Sequence, residues 1–116
     1  MKYFLSFLFI LLLNACKMEK ASKVEITNEN DYPITITIKT NNISHTFKNI
    51  KAKETITDWY NWDGLDNKDG EWIFIVKKEN TNGEDQFKHG FFRNGNLYNY
   101  VTLISKGDEL KVQISE

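Results

Sequence analysis

Beyond Lys23 the chain repeats one short pattern: apolar residues at every second position, with turn-formers roughly every 10 to 13 positions. Side chains of an extended strand alternate between its two faces, so a period of two predicts half-buried β-strands. Val24, Ile26 and Asn28 alternate with charged or polar neighbours. After Pro33, Ile34, Ile36 and Ile38 alternate with Thr35, Thr37 and Lys39, and a strand's first residue tolerates proline's missing N–H. Asn41-Asn42 predicts a two-residue hairpin turn, because Asn accepts a positive φ more readily than most residues. Further strands are expected at about 43–49, 54–59, 71–78, 85–93, 97–105 and 110–114. Asn94-Gly95 is the strongest hairpin signal, between the sixth and seventh.

About eight short strands with no helical period predict an all-β fold. The expected architecture is an antiparallel β-sandwich, immunoglobulin-like or transthyretin-like, with a barrel as the alternative. Connections this short are expected to leave no room for parallel crossovers. The expected core is Val24, Ile26, Ile34, Ile36, Ile38, Phe47, Ile56, Phe74, Val76, Val101, Leu103, Val112 and Ile114. The stretch 71–78 is apolar on both faces. It predicts a central strand covered on both sides, or one whose second face carries a ligand site.

The first 22 residues follow a different pattern. One positive side chain, Lys2, precedes ten residues from Phe4 to Leu13 that are apolar except for Ser6. That is the layout of a secretory signal and is too short for a membrane-spanning helix, which needs roughly 20 apolar residues. The run ends in Leu13-Asn14-Ala15-Cys16, which resembles the lipobox of bacterial lipoproteins. The resemblance covers only this segment, and Asn14 departs from the small or β-branched residue usual there. It implies removal of residues 1–15, acylation of Cys16 by diacylglycerol and commonly a further palmitate-type chain, and a membrane-anchored envelope protein. Lys17, in place of the Asp that retains such proteins at the inner membrane, implies the outer membrane. Residues 16–22 are then the lipidated cysteine and a polar tether, and 23–116 a single domain. Cys16 is the only cysteine, so once acylated it leaves no thiol or disulfide in the mature domain.

Charge adds little. Without Lys2, 14 basic residues (15 − 1) face 16 acidic ones, a net charge of −2, which argues against nucleic acid as a partner. Candidate chemistry concentrates between Tyr60 and Gly70. Eleven residues separate two expected strands there, against the two to five of most hairpins, and long loops on rigid scaffolds often carry function. Trp59, Tyr60 and Trp62 precede or open the loop and Trp72 follows it; Asp63, Asp66 and Asp69 supply carboxylates. Alternation cannot bury all the rings of Trp59, Tyr60 and Trp62 on one face, so at least one is expected to meet solvent or a partner. A second aromatic group is Phe91, Phe92, Tyr98 and Tyr100.

Oxygen ligands in loop 60–70 also suggest calcium, although EF-hand spacing fails: Leu65 falls on its first position and Val76 on its last. No other cofactor is expected. His45 and His89 lack partners at metal-ligand spacing, and no serine sits in a G-x-S-x-G context. The expected function is a non-catalytic binding or interaction module anchored in the envelope. Its expected binding residues are Trp59, Tyr60, Trp62, Asp63, Asp66, Asp69 and Trp72, meeting an envelope protein or glycan. The alternatives are a periplasmic immunity or inhibitor protein and a purely structural envelope component.

Overall fold

A computed structural model describes residues 21–79, 81–93 and 100–115. Eight strands follow one another: β1 (Ala21–Asn28), β2 (Ile34–Lys39), β3 (Ser44–Ile50), β4 (Thr55–Asn61), β5 (Gly70–Lys78), β6 (Glu84–Phe92), β7 (Tyr100–Lys106) and β8 (Glu109–Ser115). They form two four-stranded sheets, ordered β4-β1-β7-β8 and β3-β2-β5-β6. The described residues form an all-β sandwich, as the alternation predicts.

Every pairing is antiparallel except one. β1 and β7 run parallel, with Lys23 opposite Tyr100 and Ile26 opposite Leu103. The expectation of an all-antiparallel fold is corrected here. A parallel pair needs a long crossover, and the chain from β2 to β6, which holds the whole second sheet and β4 of the first, supplies it. An immunoglobulin sheet would group the first strand with the second and fifth. Here β1 joins β4 and β7, which leaves the transthyretin-like arrangement of the two expected.

The core lies between the sheets. Val24, Ile26, Ile34, Ile36, Ile38, Phe74, Val101 and Leu103 are all at or below 1 % exposed, and each such burial contributes roughly 1.5–3 kcal/mol. Ile56, Val112 and Ile114, also expected in the core, are only partly buried because β4 and β8 are edge strands. Ile50, Tyr60, Trp72 and Phe92 join the core beyond the expected set. β5 is central in its sheet, yet Ile73 and Ile75 on its outer face are half-exposed, so it is covered on one side only.

The strand ends define two poles. At the distal pole β1, β3, β5 and β7 end. There Asn28 Nδ2 donates to the carbonyls of Tyr32 (2.9 Å), Ile50 (3.0 Å) and Lys51 (3.1 Å). Asn28 Oδ1 accepts from the backbone N–H and the side-chain amide of Asn30. Asn30 Oδ1 in turn accepts from Gly107 N at 2.7 Å. Two buried amides thus satisfy three connections from both sheets, since buried backbone groups must find partners. Lys78 adds an ion pair to Asp108 on the β7–β8 turn at 2.7 Å. Its hydrogen bond and charge hold the Asp108 carboxyl below its ordinary value.

The first strand begins at Ala21, two residues before the expected domain boundary. Ser22 is fully buried opposite Tyr60, a small polar residue on the inner face that hydrophobic periodicity does not reveal. The signal segment, Cys16 and residues 17–20 lie outside the described residues, as do Asn94-Gly95 and Tyr98. The strands flanking Asn94-Gly95 sit in different sheets, so β6 and β7 do not form the expected hairpin.

Candidate functional site

The opposite, proximal pole is where β1 begins, and β4, β6 and β8 end beside it. Its inside is aromatic. Trp72 lies parallel to Phe74 (6.1 Å between centroids, 7°), edge-on to Phe92 and tilted against Tyr60. Trp72 and Tyr60 are 0 % exposed. Both were expected at the binding surface. The inward phase of their strands places them in the core instead, because Tyr60 shares its face with Ser22 and Trp72 with Phe74 and Val76. The Tyr60 hydroxyl lies 2.7 Å from Thr40 Oγ1 and donates to the Ile43 carbonyl at 3.1 Å, tying the two sheets together. Burial pushes the Tyr60 phenol above its ordinary value, partly offset by the Thr40 hydrogen bond.

The connection from β4 to β5 covers eight residues, 62–69. Its length has a structural cause: it crosses from one sheet to the other, about 10 Å away, and is not a hairpin. Hairpin lengths are therefore not the standard for this connection. Asn41 and Asn42 clamp it. Asn41 Nδ2 donates to Asp66 Oδ1 (2.9 Å) and the Lys68 carbonyl (3.1 Å). Asn42 Nδ2 donates to the Gly64 carbonyl (2.9 Å), and Asp66 N donates back to Asn42 Oδ1 (3.0 Å). Neither asparagine has a positive φ, so the β2–β3 turn uses their amides and not their conformational freedom. At Gly70 a Cβ would collide with the Asn41 side chain and the Phe92 ring, so only glycine lets clamp and core close together.

The loop carboxylates do not converge. Asp66 is engaged by Asn41, and Asp63 is exposed, with its N–H donating to Asn61 Oδ1. Asp69 is exposed near the Asn41 clamp, its backbone carbonyl accepting from Asn41 Nδ2 at 3.4 Å. Among the described residues no group of three or more His, Cys, Asp or Glu could hold a metal ion. Trp62 packs half-buried against the core, and its indole N–H is buried without a hydrogen-bond partner, as is that of Trp72.

The outside of this pole differs. Among the described residues the exposed large hydrophobics are Trp59 (48 %), Phe91 (70 %) and Tyr100 (51 %), and all three ring this one pole. Trp59 and Tyr100 share the outer face of the first sheet, one on each side of Lys23, because β1 pairs with both β4 and β7. Phe91 lies on the second sheet, opposite Glu71 at the start of β5. A bulge with Gly90 at φ 72° shifts the register here and turns Phe92 inward and Phe91 outward. Of the expected site residues, Trp59 alone is an exposed aromatic. In the sequence, Tyr100 and Phe91 belong to the separate second aromatic group. Uniting them with Trp59 depends on the parallel β1–β7 pair, which no local signal announces. No protein-family model, curated protein or solved structure matches the chain.

Proposed function

We propose that this chain is a lipid-anchored lipoprotein of the bacterial envelope, placed at the outer membrane, with a non-catalytic binding module as its β-sandwich. One observation carries the reading. The exposed aromatics Trp59, Phe91 and Tyr100 gather at the pole where β1 starts, five residues after Cys16 and its lipobox-like context. Aromatic rings contribute large contact area at little entropic cost and recur at binding hot spots. The core needs none of these three, since Tyr60, Trp72 and Phe92 already fill it.

The test has two readouts. Intact-mass analysis of the protein from membranes should show acyl chains on Cys16, and Cys16→Ser should release the chain from the envelope. A Trp59→Ala, Phe91→Ala, Tyr100→Ala triple variant should fold and remain anchored but lose its in-cell crosslinks at this pole. An unmodified Cys16, or crosslinks unchanged in the triple variant, contradicts the proposal.

A further inference from the structure

The geometry points to a specific occupant for the aromatic pole: the phospholipid surface to which the chain is tethered. This inference rests on the anchoring of Cys16 proposed above and names the partner of that same site.

Distance is the first argument. Only residues 17–20 separate Cys16 from Ala21. Five Cα-to-Cα steps reach at most about 18 Å at 3.3–3.6 Å per residue. An acylated Cys16 sits at headgroup level, so the proximal pole stands no further than that from the lipid. A 100-residue partner domain has a radius of gyration of about 13 Å, and is therefore wider than the gap. Lipid headgroups fill such a gap without a third molecule.

Chemistry is the second. Trp and Tyr are the side chains that settle at membrane–water interfaces, an apolar ring on one side and a polar atom on the other. Lys23, between Trp59 and Tyr100 in register, has a long apolar stem and can carry its ammonium to a headgroup phosphate. Trp59 and Tyr100 lie on one face of the sandwich and Phe91 on the other. An end-on approach engages all three, whereas a side-on approach engages two at most. Charges at the pole are mixed, with Lys23, Lys39 and Lys68 beside Asp63, Asp66 and Asp69. Ring insertion, rather than attraction to anionic lipid, is therefore the holding force. Tethering raises the effective concentration of lipid at the pole, so even a weak insertion is populated. The posture leaves the distal pole pointing away from the membrane, with its grooves lined by Glu29, Lys53, Lys106 and Asp108.

The experiment uses the full chain, lipidated in cells and reconstituted into phosphatidylethanolamine/phosphatidylglycerol vesicles. One set of vesicles carries acyl chains brominated near the glycerol backbone, which quench tryptophan at the interface. The wild-type protein should be quenched, equally in low and high salt, and Trp59→Phe should lose most of that quenching. Trp72, fully buried in the core, should contribute none. If the protein is acylated yet unquenched, or Trp59→Phe is quenched as strongly as wild type, the inference is overturned. The binding-module reading then survives with a protein or glycan as its partner. An unacylated Cys16 overturns both.

Discussion

The two poles of the sandwich close by different chemistry. At the distal pole, two buried asparagines link turns from both sheets, and among the described residues no large hydrophobic is exposed, Tyr32 being half-buried. At the proximal pole, rings fill the inside, an eight-residue crossover is strapped down by Asn41 and Asn42, and three further rings stand outside. The difference separates stability from contact. Asn28 touches so many carbonyls that it can serve only the fold. Trp59, Phe91 and Tyr100 are dispensable to closure, and exposed apolar side chains gathered at one place mark an interaction surface.

The sharpest way to break this contrast is Asn28→Leu. The substitution keeps the branched heavy-atom outline but removes the donor to the Tyr32 and Ile50 carbonyls and the acceptor of the Asn30 backbone N–H, while the Lys51 carbonyl keeps Glu54 N and the Asn30 amide keeps Ser105. At about 1–3 kcal/mol per orphaned buried group, urea denaturation should show a loss of about 3 kcal/mol or more. Trp59→Ala, by comparison, should cost no more than about 0.5 kcal/mol of stability, as surface changes usually do. Equal losses would erase the distinction between the poles.

Gly70→Ala probes the proximal clamp. The added methyl meets Asn41 and Phe92, and overpacking of this kind costs about 1–3 kcal/mol. Faster proteolysis within 62–69 should accompany it, since the Asn41 strap must yield first.

Tyr60→Phe should cost about 1 kcal/mol at neutral pH through loss of the Thr40 and Ile43 hydrogen bonds. Its pH dependence carries a sign. The folded phenol is raised above the ordinary tyrosine value of 10.0, so its contribution is complete below that value. The contribution is lost as pH rises through the raised one. Alkaline unfolding should therefore be shallower in the variant, measured as denaturation midpoint against pH.

Lys78→Met should have the smallest effect, because Asp108 is exposed and such pairs contribute little. The folded Asp108 carboxyl lies below the ordinary value, so the pair's contribution is present above that value and disappears as pH falls through the lowered one. The variant should flatten the acid limb and leave neutral stability nearly unchanged.

How far these poles could be read in advance depends on what alternation encodes. Period two assigns faces, which is why Val24, Ile26, Ile34, Ile36, Ile38, Val101 and Leu103 were legible as core. It does not say which strand lies alongside. The parallel β1–β7 pair joins residues 77 positions apart, as in Lys23 and Tyr100, and no turn signal marks it. Composition misled at Tyr60 and Trp72, since Trp and Tyr beside acidic residues resemble a binding surface whichever face they occupy. Asn41-Asn42 was legible as a turn, but the service of its amides to a loop more than 20 residues away was not. Asn28 was legible as the inward position after Val24 and Ile26, but the partners that make its burial possible, in the β1–β2 connection and at the end of β3, were not.

The most direct test of the separation is a pair of photo-crosslinking residues in the full chain within living cells, one at position 59 and one at 108. The account predicts strong, reproducible adducts at 59 and only background at 108, with both proteins folded. Comparable adducts at the two positions, or adducts at 108 alone, would contradict the assignment of contact to the proximal pole.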